Sequence, residues 1–144
     1  MPELPEVETV RRGLERSVVG RLVEDVTVTG KRSIRRQSPA AFAAALRGRR
    51  LAAAGRHGKY LLVGLDDGAT LVAHLRMSGQ LLHVPSAGEP LAAHTHVRLG
   101  FEDGSELRFV DPRTFGELFV ATEHDAAGRP VELAALGVDP FLEP

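Results

Sequence analysis

The 144-residue chain contains no cysteine, so it can form neither a disulfide nor a thiolate metal site. It has no apolar run near the ~20 residues that a membrane-spanning helix needs. Its N-terminus carries Glu3, Glu6 and Glu8 before any basic residue, which is not the pattern of a secretory leader. A cytoplasmic setting is the expectation. Internal repeats and low-complexity segments are also missing. What remains, 43% hydrophobic and 26% charged residues, is the composition of one soluble globular domain large enough to bury a core.

The net charge of −1 is small and its distribution is uneven. Residues 11–59 hold 13 Lys/Arg against 3 Asp/Glu, whereas residues 60–144 hold 5 against 13. Segregation of this kind suggests one basic face that could meet nucleic acid. Folding could equally mix the two halves into a neutral surface.

Periodicity divides the chain into elements. Val7, Val10, Leu14 and Val18 recur at helical spacing, and Gly20 ends that helix. Val23–Thr29 alternates as a strand. Ser38-Pro39 starts a second helix, with serine as cap and proline at its first position, running to Gly48. Strands are then expected at 51–55, 59–65, 70–75, 80–84, 97–101, 106–110 and 117–121. Asp66-Asp67-Gly68 and Asp103-Gly104 mark hairpin turns, Pro85–Ala93 an exposed loop, and Val131–Leu136 a short helix ended by Gly137. The expected fold is mainly β with flanking helices. The strands and turns point to a β-sandwich or barrel; of the two, a two-layer antiparallel β-sandwich is expected, with an N-terminal α-helix carrying the catalytic terminus if the chemistry of the first residues is catalytic.

Four short clusters carry the chemistry. In the first, Pro2-Glu3 with Glu6, methionine precedes a small residue and its removal would leave a free prolyl amine. Such an amine titrates near ~8, is partly neutral at physiological pH, and can form a Schiff base. A neighbouring carboxylic acid can donate a proton. Pro5, Glu6 and Glu8 also suit a helix start. In the second, Lys59 follows Gly58 at the start of an apolar strand and could simply be solvated. The third, His74-Leu75-Arg76-Met77-Ser78-Gly79, puts a methionine at a turn, where it can wedge into a base stack or cover local apolar surface. The fourth, Asp111-Pro112-Arg113-Thr114-Phe115-Gly116, sets an arginine that can read a base edge beside a phenylalanine that can wedge or fold back into the core. His94 and His96 alternate on an expected strand and could face phosphates; a metal role for them has no third ligand in support.

Taken in order, MPELPEVE, HGKYLL, HLRMSGQL, HTHV and DPRTFG resemble the N-terminal half of bacterial formamidopyrimidine-DNA glycosylases along essentially the whole chain. The resemblance implies excision of oxidised purines, 8-oxoguanine and formamidopyrimidines, from damaged double-stranded DNA. Strand cleavage by β- and δ-elimination, an AP lyase activity, would follow. It implies Pro2 as the Schiff-base nucleophile at the sugar C1′, Glu3 as the acid that protonates the sugar ring, and Glu6 as a glutamate beside the nucleophile. Lys59 would serve in proton transfer and backbone contact. Met77, Arg113 and Phe115 would fill the gap left by the flipped base, with Arg113 facing the orphaned cytosine, and His94 would join Arg113 in contacting DNA. Leu4, where a related branch usually has glycine, favours the purine-excising branch. The protein is expected to be a monomer in the nucleoid-associated cytoplasm.

On this reading residues 1–144 are the N-terminal catalytic domain. A helix–two-turn–helix module and a four-cysteine zinc finger are absent from the chain, which stops at Asp139–Pro144. No cofactor is expected within these residues; zinc would belong to the absent finger. Phosphate contacts supply much of DNA affinity, so the isolated chain is expected to bind and turn over weakly. Two rivals remain, a non-catalytic damage-binding module and a tautomerase that uses an N-terminal proline as general base.

Overall fold

The computed structural model describes residues 3–135. Pro2, and the expected helix end at Leu136 and Gly137, lie outside the described residues. The first helix, α1, spans Leu4–Ser17, with Glu3 as an extended N-cap and Pro5 in the first turn, where a missing N–H costs nothing. Glu6 in the first turn and Arg16 in the last both complement the helix dipole. Val7 and Leu14 are buried, as is Val18 just past the end, and Gly20 turns the chain away at φ +92°. The second helix, α2, spans Pro39–Leu46. Its Ser38 cap accepts a 3.0 Å hydrogen bond from the Ala41 amide, as the sequence predicts.

Eight strands follow the expected order: β1 Val23–Val28, β2 Leu51–His57, β3 Tyr60–Leu65, β4 Thr70–His74, β5 Gln80–Val84, β6 Thr95–Phe101, β7 Glu106–Val110 and β8 Glu117–Ala121. A short helix, α3, spans Val131–Ala135. The strands form two antiparallel sheets, β1-β6-β7-β5 and β2-β3-β4-β8. Their inner faces close on one core that includes Phe42, Leu51, Leu61, Leu71, Leu99 and Phe109. Each such side chain stabilises the fold by about 1.5–3 kcal/mol when fully buried.

The helices finish the sandwich. Helix α1 packs against β2 and β5, an edge strand of each sheet, while α2 packs against β1 and β8, the two opposite edges. Unpaired strand edges are thereby covered at both sides. The arrangement also brings the start of α1 to the ends of β4 and β5, where the functional candidates collect.

Two placements differ from the sequence expectation. His94 is not on a strand. It precedes β6 in the left-handed region at φ +65°, and a register shift between Thr95 and Val97 breaks the alternation that pairs it with His96. Lys59 lies in the tight Gly58-Lys59 turn between β2 and β3 rather than within the strand, because Gly58, at φ +59°, ends β2 first.

Candidate functional site

Glu3 is exposed at the mouth of α1, and its backbone oxygen accepts the Val7 amide at 3.0 Å. The helix is tied down one turn later by Glu8. Its carboxylate accepts from Arg11 at 3.0 and 2.8 Å, from Arg12 at 3.0 Å and from Arg56 of β2 at 2.9 Å. Hydrogen bonds from Arg11 and then Arg56 hold the Glu8 carboxyl down at about 2. Arg11 also donates to the Ala54 carbonyl at 3.2 Å, a second tie from α1 to β2. These contacts hold the first turns of α1 against β2. The sequence reading took Glu8 only as a dipole partner and did not weigh Arg56; the fold is needed to bring β2 beside α1.

Glu6 and Met77 share a groove of about 370 Å³, lined also by Val10, Ser78 and Gln80. Met77 is 52% exposed, and Phe115 is 55% exposed. Neither folds back into the core. The Arg113 guanidinium approaches the Met77 sulfur at 3.8 Å, so the two turn motifs, 36 residues apart, meet in space. Phe115 overlooks a second hollow shared with Arg32, Ile34, Arg35 and Thr114.

The turn bases are buried and hydrogen-bonded. Asp111 is fully buried, and its Oδ1 accepts from the Ser78 hydroxyl at 2.5 Å and from the Arg113 amide at 3.2 Å. Its Oδ2 accepts from the Gly116 amide at 2.7 Å. Its backbone oxygen accepts from His96 Nε2 at 2.7 Å, and its amide donates to the His94 carbonyl at 3.0 Å. His94 itself is exposed at this rim.

A second set sits at the shared end of β3, β4 and β8. Tyr60, His74 and Glu117 occupy one row across the three strands. His74 packs edge-on against Tyr60, and its Nδ1 accepts the Arg76 amide at 3.0 Å. Burial, together with the charges of Arg76 and Lys59, pushes His74 down to about 4, so its ring is neutral near pH 7. Burial first and Glu117 second push the Tyr60 hydroxyl up. Arg76 donates to Glu117 at 3.1 Å.

The charge segregation of the sequence is resolved unevenly. Arg21 pairs with Asp103, Arg49 with Asp66 at 3.7 Å and Arg50 with Glu102 at 3.1 Å, so part of the basic segment is neutralised by the acidic half. Lys31, Arg32, Lys59 and Arg113 form no ion pair among the described residues. The Lys31–Arg36 segment lies along β8 through an Ile34–Leu118 bridge, which sets its cations beside the Phe115 turn. The sequence showed it only as part of the basic span 11–59; the docking on β8 gives its place.

Residues 1–118 match a family model described as the formamidopyrimidine-DNA glycosylase N-terminal domain. The chain is 48% identical to the formamidopyrimidine-DNA glycosylase of Nocardia farcinica over 98% of its own length and 52% of the relative's. It is 52% identical to that of a Nocardioides species over 98% of its length and 48% of the relative's. The chain thus spans about half the length of the curated relatives it matches. Among solved structures it is similar to the Lactococcus lactis glycosylase non-covalently bound to AP-site DNA, with TM-score 0.77 and 33% identity over 83% of this chain and 45% of that one. It is also similar, with TM-score 0.77 and 34% identity over 83% of this chain and 43% of that one, to a structure of MutM in complex with DNA containing carbocyclic 8-oxo-G.

Proposed function

This chain belongs to the formamidopyrimidine-DNA glycosylase family, and from that premise we propose that it carries the catalytic residues of a bifunctional enzyme that removes oxidised purines from duplex DNA and cleaves the strand at the resulting AP site. The observation that carries this reading is the convergence of Met77, Arg113 and Phe115 at one rim with Glu6 in the adjoining groove. Exposed apolar side chains beside an arginine suit insertion into a base stack, which offsets the few kcal/mol that flipping a nucleotide costs.

In the proposed reaction the Pro2 nitrogen attacks C1′ and the bond from C1′ to the damaged base breaks. The base leaves with its electron pair and takes up a proton. Glu3 delivers a proton to the ring oxygen as the sugar opens, leaving an iminium between Pro2 and C1′. The iminium acidifies the C2′ proton; its removal expels the 3′ phosphate, and a second elimination expels the 5′ phosphate. Lys59, next to the buried row of His74 and Tyr60, is the cation assigned to phosphate contact and proton transfer. Lys31, Arg32 and Arg35 supply further phosphate contacts, and His94 another at the rim.

Nothing among the 144 residues can supply the four-thiolate zinc site that the family resemblance implies, because the chain has no cysteine. We place that site, and the phosphate contacts that accompany it, outside these 144 residues. The tautomerase alternative loses its support, since the described strands form two antiparallel sheets rather than βαβ units.

The test is borohydride trapping with an oligonucleotide carrying an abasic site or 8-oxoguanine, read by intact mass. The expected result is a covalent adduct mapping to Pro2. An adduct mapping to a lysine, with the Pro2 amine free and unmodified, would overturn the assignment of the nucleophile. DNA binding without any adduct, Met1 being absent, would favour the non-catalytic damage-binding module.

A further inference from the structure

We infer that Asp111 is a positioning residue that locks the Met77 turn and the Arg113–Phe115 turn into a single wedge; its bearing on DNA rests on the function proposed above. One carboxylate reaches both turns. Oδ1 holds the Ser78 hydroxyl, adjacent to Met77, and the Arg113 amide, while Oδ2 holds the Gly116 amide on the far side of Phe115. The group is fully buried, so these bonds are not weakened by solvent.

Backbone strain at the same place gives the clamp its purpose. Four non-glycine residues have positive φ among the described residues: Arg36, Arg76, His94 and Thr114. Three of them border Asp111. Arg76 precedes Met77, Thr114 sits between Arg113 and Phe115, and His94 accepts the Asp111 amide through its carbonyl. Non-glycine residues hold this conformation only when their surroundings over-determine it, and such strain gathers where geometry must be preset. Packing enforces it further. A Cβ on Gly116 would lie 2.7 Å from the Phe109 ring and 2.9 Å from Asp111 Oδ2, and one on Gly79 would lie 2.6 Å from the Leu75 carbonyl. The turns therefore meet a DNA duplex already formed, so that Met77, Arg113 and Phe115 enter together rather than being ordered one at a time, which lowers the entropy lost on insertion.

Two variants test this. Ser78→Ala removes one bond at the rim and leaves the core intact, and Asp111→Asn keeps size but turns one acceptor into a donor. Amide hydrogen exchange comes first. With Ser78→Ala, the Arg113 and Gly116 amides on the other turn should exchange faster, by about fivefold, the effect of losing one modest hydrogen bond. Unchanged exchange there would show that the turns are held separately and overturn the clamp. With Asp111→Asn both turns should lose protection together; loss confined to residues 112–116 would also overturn it. Borohydride trapping then gives the functional readout. Asp111→Asn should slow trapping on a duplex abasic site by about tenfold yet leave trapping on a single-stranded abasic oligonucleotide within about twofold, since no stack needs filling there. Equal loss on both substrates would reduce Asp111 to a structural residue. Exchange is measured without DNA, so a wild-type chain that traps neither substrate overturns the proposed function and leaves the clamp to be judged on its amides.

Discussion

Around the start of α1, order rests on partly exposed ion pairs; at the ends of β4 and β7 it rests on a buried carboxylate that holds a hydroxyl and two backbone amides. Glu8 gathers Arg11, Arg12 and Arg56 at the surface, where salt screens the attraction and long side chains lose entropy in being held. Asp111 gathers Ser78, Arg113 and Gly116 with no access to water. The glycines follow the same division. A Cβ at Gly13 of α1 would meet nothing within 4 Å, whereas one at Gly116 would collide with side chain and backbone alike. The comparison teaches that the α1 side is held by salt-sensitive ion pairs and the turn side by a buried carboxylate clamp.

The largest expected effect breaks the turn side. Gly116→Ala should destabilise the chain by about 3 kcal/mol, measured by urea denaturation, because neither the Phe109 ring nor the His74 carbonyl 3.1 Å away can retreat cheaply. A loss below ~1 kcal/mol would mean that this rim is softer than its packing indicates. On the helix side, Glu8→Gln should leave the melting temperature within a few degrees but lower the yield of the Pro2 adduct on the order of tenfold, since a misdirected α1 misplaces its terminus. Raising the salt concentration should bring the wild type toward the variant. Equal damage to stability and adduct yield would erase the distinction between the two sides.

Acid should separate them as well. His74 titrates near 4 when folded against 6.5 ordinarily, so the unfolded chain binds more protons between those values. The sheet-end contribution is therefore full above about 6.5 and falls as the pH drops toward about 4. Glu8 lies at about 2 against 4.5, so its contribution is full above about 4.5 and is lost only as the pH falls toward about 2. Thermal unfolding followed against pH should show both windows, and His74→Asn should flatten the upper one alone. The smallest effect is a gain. Gly13→Ala should stabilise the chain by about 0.5–1 kcal/mol through helix propensity, with no change in adduct yield.

Much of the fold was legible because its signals are local. Ser38-Pro39 marks a helix start, Asp66-Asp67-Gly68 and Asp103-Gly104 mark hairpins, and the bounds of β5, β7 and β8 are those the pattern predicts. His94 misled for the opposite reason: HTHV alternates as a strand does, but the Asp111 backbone takes the His94 carbonyl and turns that residue out of β6. Met77, Arg113 and Phe115 were legible as residue types in turns, but only the family resemblance joined them, since 36 residues separate Met77 from Arg113.

The sequence by itself determined the element order, the helix and turn chemistry, the lack of any thiol ligand and, through its motifs, the family. Tertiary structure alone decided which charges remain unpaired, that Glu8 ties α1 to β2, and that Asp111 serves both turns. Local elements depend on residues a few positions apart, which a sequence displays directly. Ion-pair choice, burial and strain depend on which distant strands the sandwich sets side by side, and only a closed core fixes that.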